Sequence, residues 1–407
     1  MNPVPGLLRR GADASFGRDK DLRTVDEVTD RLIASEEYDA LALGSLALTN
    51  MIQTMYEGGW QPLDLLHIVR RGSTVAVSSL AAAAILHQSD LTNAAERAPE
   101  SWIEQLSEIC TAYPKAASRV DASPSFLAAL LSASGKSDYI GASDQWTAVL
   151  SLLGQWQRLP RWPKIGPFPS QWPNRRMQSS SRPAAPAESP NAKVLSRIRG
   201  LLAKADATDF EEEADTLTAK AQELMTRYSI DSLLLTEGNV DVESRRLHVD
   251  NPHAPAKAQL LHAVSTVNRV KSIWDPEFAI ATLVGSPVDV ENTEILFTSL
   301  LIQATRALSR SPKAKRRKGS ASAAFGKAFL FAYAVRIGER LADADADTLD
   351  VAAERSGDLL PMLAAQTVAV EEEFDRLFPR VRTMRGPRLD AEGWESGHAA
   401  ADEAQLH

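Results

Sequence analysis

A chain of 407 residues is too long for one ordinary domain, and its 44% apolar content is enough for two or three separate cores. With 45 basic against 53 acidic side chains the net charge is -8, which excludes whole-protein attraction to nucleic acid or anionic membrane and leaves only local patches. The single cysteine, Cys110, excludes an intramolecular disulfide and a cysteine-rich zinc site, fits a reducing compartment, and reads as a small buried apolar group.

The opening MNPVPGLLRRGADAS lacks the unbroken apolar core of a secretory signal. The longest apolar run, residues 73–86, is too short to span a bilayer, so no membrane partner and a cytoplasmic location are expected. Residues 1–153 read as an N-terminal helical bundle. In GGWQPLDLLHIVRRG a glycine pair precedes Pro62 at a helix start, Leu63, Leu66 and Val69 share a face, and Gly72 stops the helix. Alanine-rich segments at 79–87 and 126–132 suit close helix packing. Residues 154–192 form a Trp/Pro-rich basic segment and linker, in which Trp156, Trp162 and Trp172, with Trp146 just before them, are interleaved with prolines and with Arg158, Arg161, Lys164, Arg175 and Arg176.

Residues 193–236 read as a helical hairpin. Val194, Leu195, Ile198, Leu201 and Leu202 follow the helical period, and Phe210, Ala214, Leu217, Ala221, Leu224 and Tyr228 make a narrow stripe on the second helix. The acids Glu211, Glu212 and Glu213 stand in its first turn, where Thr208 with Glu211 reads as a capping box and the charges complement the helix dipole. Residues 237–407 read as a small α+β domain with C-terminal helices. VESRRLHV is a strand, residues 256–270 a helix, and KSIWDPEFAIATLVG two strands turning at Asp275-Pro276. Ser286 caps a helix with Pro287 in its first turn, and a long helix over residues 323–343 follows. The fold class is therefore predominantly α with a small α+β C-terminal domain.

The run KVLSRIRGLLAKADATDFEEEADTLTAKAQELMTRYSID resembles the bacterial and phage domain-of-unknown-function family 2786, through Ala221, Leu224, Met225, Tyr228, Ile230 and Asp231, with Thr226 and Ser229 at variable positions. The region from about Val242, with LVGSPVDVENTEILFTSLLIQA and AFGKAFLFAYAVRIGERL, resembles family 7168, a domain that commonly follows the first. The resemblance implies a relative of bacterial proteins and brings no catalytic residue.

Chemistry-bearing patterns are few. Asp343, Asp345, Asp347 and Glu354 have EF-hand spacing, but Thr348 stands where the loop needs glycine, so a helix end or solvated loop is expected. His248, His253 and His262 lack zinc-site spacing, and Ser134 to Ser137, SGKS, lacks the first glycine of a phosphate loop. No catalytic residue, metal or cofactor is assigned.

RSPKAKRRKGS concentrates Arg310, Lys313, Lys315, Arg316, Arg317 and Lys318 between two helices and points to sequence-blind phosphate contact, with the tryptophan segment as a base-stacking partner. Arg336 shares a helix face with Phe325, Phe329 and Ala332, with Arg340 one turn on, and is expected to pair with Asp289 or Glu291 or to face an anion cleft. The site expected to bind nucleic acid or another anion is thus Lys313, Lys315, Arg316, Arg317, Lys318, Arg336 and Arg340. A binding protein is the preferred reading. A hydrolase of phosphate-containing substrates, with Asp289 or Glu291 near the chemistry, and an adaptor docking a protein partner through Trp60 or Trp102 are the alternatives. Gly393, Gly397 and Ala401 form a small-residue stripe that implies close helix packing.

Overall fold

Two units divide the chain, Met1–Ser180 and Ser181–His407. The computed structural model describes residues 2–17, 20–35, 39–118, 126–128, 142–174, 190–207, 211–234, 240–355, 359–381 and 390–403. The fold is mostly helical with a small antiparallel sheet in the C-terminal half. No helix among the described residues is long and apolar enough to cross a membrane.

In the first unit the helices are α1 (Val4–Ala14), α2 (Leu22–Ile33), α3 (Ala40–Glu57), α4 (Pro62–Gly72), α5 (Val75–Leu91), the short α6 (Ala94–Arg97), α7 (Glu100–Ala112), the short α8 (Pro114–Ala117) and α9 (Ala142–Trp156). The start of α4 is fixed by Pro62 in its first turn and by the Asp64 carboxylate, which accepts from the Gln61 backbone N–H at 2.9 Å. Helix α5 is buried without interruption from Leu80 to Gln88, with Ala81, Ala82, Ala83 and Ala84 at its centre, so this stretch runs through the middle of the bundle.

The proline-rich segment after α9 packs on the same bundle. Gly59, at φ +99°, lets it approach: a Cβ there would lie 2.3 Å from the Trp162 carbonyl oxygen, and the Trp162 N–H donates to the Gly58 carbonyl at 2.8 Å. The tryptophans then turn inward. Trp60 meets Trp162 edge-to-face at 4.3 Å, Trp102 meets Trp172 at 5.1 Å, and Trp146, Trp156 and Trp172 are buried. Trp146, Trp156 and Trp172 therefore cannot stack on unpaired bases, and Trp60 and Trp102, at 1% and 5% exposure, cannot anchor an outside partner. Cys110 departs from expectation in the other direction, since it lies on the outer face of α7 and is exposed.

The second unit opens with the hairpin of α10 (Pro190–Ala207) and α11 (Glu211–Leu234). Ile198 and Leu202 meet Ala221 and Met225 in one core with α12 (Ala254–Val267) and α13 (Pro287–Arg310). The sheet has the order β1 (Glu243–His248), β3 (Ile280–Gly285), β2 (Lys271–Asp275), and both pairings are antiparallel, with Arg246 opposite Thr282 and Trp274 opposite Ala281. The central strand β3 is buried throughout.

Beyond α13 come the four-residue α14 (Pro312–Lys315), then α15 (Gly319–Arg355), α16 (Leu359–Leu377) and α17 (Ala391–Glu403). Helix α15 runs well past the expected stop near residue 343, so Asp343, Asp345 and Glu354 stand on a continuous helix and no EF-hand loop forms. The small-residue stripe seats α17 on α15: a Cβ on Gly397 would lie 2.0 Å from the Phe329 carbonyl oxygen, one on Gly393 would lie 2.7 Å from that of Phe325, and Ala401 is fully buried. The side chains of Glu211, Glu212 and Glu213, Thr208, the SGKS run and Arg175 and Arg176 lie outside the described residues.

Candidate functional site

Two charged constellations stand out in the second unit, one buried and one exposed. The buried one begins with α11. Beside the apolar stripe of Ala221, Met225 and Tyr228 runs a second buried stripe of uncharged polar residues, Gln222, Thr226 and Ser229, at spacings of four and three. These hydroxyls reach two acids on other helices. Ser229 Oγ donates to Asp289 Oδ1 at 2.5 Å, and Thr226 Oγ1 donates to Asp345 Oδ1 at 3.1 Å.

Asp289 itself arrives through the cap of α13. The Ser286 hydroxyl accepts from the Asp289 N–H at 3.2 Å and donates back to Asp289 Oδ2 at 2.8 Å. Gln366, from α16, donates to the same oxygen at 2.7 Å. Both oxygens of this fully buried carboxylate are thus occupied by donors.

Arg269 joins the two acids. Its Nη2 lies 3.5 Å from Asp289 Oδ1 and from Ser229 Oγ, and its Nη1 lies 3.3 Å from Asp345 Oδ2. The backbone is arranged for this placement. Helix α12 ends in a Schellman motif, in which Val270 N–H donates to Ser265 O at 2.9 Å and Arg269 N–H to Thr266 O at 3.3 Å. The position between those ends is left-handed and usually holds glycine, yet here it holds Arg269 at φ +58°. Holding a side chain there costs about 1 kcal/mol relative to glycine.

Burial pushes the Asp345 carboxyl above its ordinary range, and the charge of Asp289 adds to this, while Arg269 and the Thr226 hydroxyl hold it down. The cluster ties together α11, the α12–β2 turn, α13, α15 and α16. Chemically it is saturated: an Asp289 with donors on both oxygens is no general base for Ser229, so the contact does not make a nucleophile. Among the described residues no group of three or more His, Cys, Asp or Glu side chains could hold a metal ion.

Arg336 is not part of this cluster. The carboxylates expected to pair with it have other partners, Asp289 with Arg269 and Glu291 with Arg199 at 2.7 Å. Arg336 is partly exposed and donates to Glu339 at 2.9 Å, while Arg340 donates to the Ala401 carbonyl at 2.5 Å. The inward stripe of α15 passes instead through Phe329, Tyr333, Ile337 and Leu341, which leaves Arg336 on its flank.

The exposed constellation is the basic turn between α13 and α15. Arg306 and Arg310 lie on the outer face of the last turns of α13, and Lys313 and Lys315 on α14. The Ser311 hydroxyl caps α14 by accepting from the Ala314 N–H at 3.4 Å. The cations differ in their commitments. Arg317 lies over the Phe325 ring at 4.8 Å, pairs with Asp390 at 3.3 Å and also with Glu392, while Lys313 lies 3.9 Å from Glu392. Lys315, Arg316 and Lys318 are exposed, and no ion pair ties them to a described residue. Arg336 lies 18 residues beyond Lys318, about 27 Å along a helix, so it does not join this patch.

Comparison with known families places one part of the chain. Residues 193–232 match the family described as Protein of unknown function (DUF2786). The α10–α11 hairpin carries that match. No curated protein and no solved structure matches the chain. The matched segment includes Thr226 and Ser229, the residues through which α11 reaches the buried acids, and Gln222, whose amide donates to the Thr226 hydroxyl at 3.4 Å.

Proposed function

We propose that the second unit binds nucleic acid through phosphate contacts made by Lys315, Arg316 and Lys318, with Lys313, Arg306 and Arg310 beside them. The observation that carries this is the exposure of three cations close in sequence, without ion pairs among the described residues, in a chain of net charge -8. Such a patch gains free energy by releasing counterions from the phosphate backbone, and it reads no bases. Arg317 has a different task, holding the turn to the start of α17 through Asp390 and Glu392. Arg336 and Arg340 fall outside the patch. On the same reading the protein acts in the cytoplasm, and the α+β region is a relative of family 7168.

The binding reading is favoured over a hydrolase of phosphate-containing substrates because both oxygens of Asp289 accept from donors and Arg336 pairs with Glu339. Fluorescence anisotropy with a labelled 24-base-pair duplex tests the proposal. Binding at about 50 mM salt is expected for the full chain and is expected to be lost in K315A/R316A/K318A. Absence of binding by the unaltered chain at that salt refutes it.

A further inference from the structure

The basic turn is not the only cationic feature at this end of α15. On the first turns of that helix Ser320, Ala324 and Lys327 share a face at spacings of four and three, and the residues between the turn and Lys327 that reach the surface are small: Ser320, Ala321, Ala323 and Ala324 are exposed. From Gly319 to Lys327 the helix advances about 12 Å. At the far end of this smooth strip a second group of basic side chains converges.

His253, at the start of α12, places its imidazole against α15, where a Cβ on Gly326 would lie 2.7 Å from His253 Nε2. One turn on, the Lys257 N–H donates to the His253 carbonyl at 3.1 Å, and Lys327 follows Gly326 directly. Lys257 and Lys327 thus stand on two different helices near the point where His253 meets α15, one a turn along α12 and the other next to Gly326. Burial depresses the His253 pKa, and the charges of Lys257 and Lys327 depress it further, as expected where cations crowd one spot. Lys257 is itself partly desolvated; its Nζ donates to the Asp250 carbonyl at 2.8 Å, and the Asp250 charge is its acidic neighbour. No ion pair ties Lys327 to a described residue.

We infer that Lys257 and Lys327 form the second end of one phosphate-binding track, which runs from Lys315, Arg316 and Lys318 across the small-residue face of α15 and accepts a nucleic-acid duplex. This rests on the proposed role of the basic turn. Small residues between the two cationic ends let a phosphate backbone lie close to the helix without steric obstruction. A duplex rather than a single strand is chosen because the strip itself, Gly319 to Lys327, carries no exposed ring among the described residues. The aromatic residues in the first three turns, Phe325 and Phe329, are both buried, so unpaired bases find no exposed ring there.

The test uses the full chain, a 24-base-pair duplex and a 24-nucleotide single strand, each titrated across a salt series. K257A/K327A is expected to weaken duplex binding about tenfold or more and to make the dependence of log K on log salt shallower by about 1.8, or 0.9 for each lost contact. K257R/K327R, which keeps both charges, is expected to bind as the unaltered chain does. An unchanged slope in K257A/K327A, with binding still lost in K315A/R316A/K318A, overturns the track and leaves the basic turn standing. Absence of binding by the unaltered chain overturns both. Tighter binding of the single strand than of the duplex overturns the choice of partner.

Discussion

Removing Arg269 should destabilise the second unit by a pH-dependent amount. At neutral pH, R269A leaves Asp289, fully buried, and Asp345, nearly so, without their shared cation. Breaking a buried pair in this way costs about 3–5 kcal/mol. The contacts of 3.3–3.5 Å are longer than the usual ~2.8 Å for charged hydrogen bonds, so the lower end, about 3 kcal/mol, is expected. R269G loses the same charge but relieves the left-handed backbone, and should be about 1 kcal/mol less destabilised than R269A.

The sign of the pH dependence follows from Asp345. Its folded-state pKa is raised, so its contribution to stability is present below the unfolded pKa and is lost as pH rises through the folded value. Without Arg269 the upward shift grows, and the penalty from R269A should shrink as pH falls from 7 toward about 4.5. Urea unfolding followed by circular dichroism measures the difference, and amide exchange in α11 and α13 assigns it to this unit. A loss under about 1 kcal/mol at pH 7, or one that does not change with pH, refutes the structural role of the cluster.

Two further expectations come from α17. G397A puts a Cβ 2.0 Å from the Phe329 carbonyl oxygen, so the helix must move away from α15 and thermal unfolding should show a loss of at least 1–3 kcal/mol; a melting curve matching the unaltered chain would contradict the packing. E392Q removes the acid that engages Arg317 and Lys313 while leaving the Asp390 contact to the Gly393 N–H intact. It should tighten duplex binding several-fold at low salt, and weaker binding would count against phosphate contact at this turn.

Much of the architecture is legible in the sequence because it rests on periodicity and local punctuation. The stripe ending at Tyr228, the Asp275-Pro276 turn and the Ser286 cap each specify their element without distant help. The small-residue stripe of α17 is legible for the same reason, since glycine at spacing four has a direct steric meaning. The buried cluster is less accessible. Thr226 and Ser229 read as variable positions until the acids on α13 and α15 are brought against them. Arg269 gives no sign either: the left-handed end of α12 ordinarily takes glycine, and with arginine there the helical reading simply runs on to residue 270.

Arg336 shows the opposite error. A helical wheel places it with Phe325 and Phe329, but a helix of 37 residues presents different faces to different neighbours along its length, and the stripe drifts to Tyr333 and Ile337. The tryptophans were ambiguous for a related reason: proline-rich sequence marks an extended segment but does not say whether its rings point inward. The basic turn, being charged and local, is visible from sequence, while the contrast between the anchored Arg317 and the exposed Lys315, Arg316 and Lys318 emerges only from the contacts with α17.

The most direct measurement of the central claim is the salt dependence of duplex binding by the unaltered chain and by variants in which Lys315, Arg316 and Lys318 become alanine singly and together. Each single change should make the slope of log K against log salt shallower by about 0.9, the triple variant should show no measurable binding, and the loss should be the same for duplexes of unrelated sequence. A slope that stays constant across the single variants, or no binding by the unaltered chain at low salt, would contradict it.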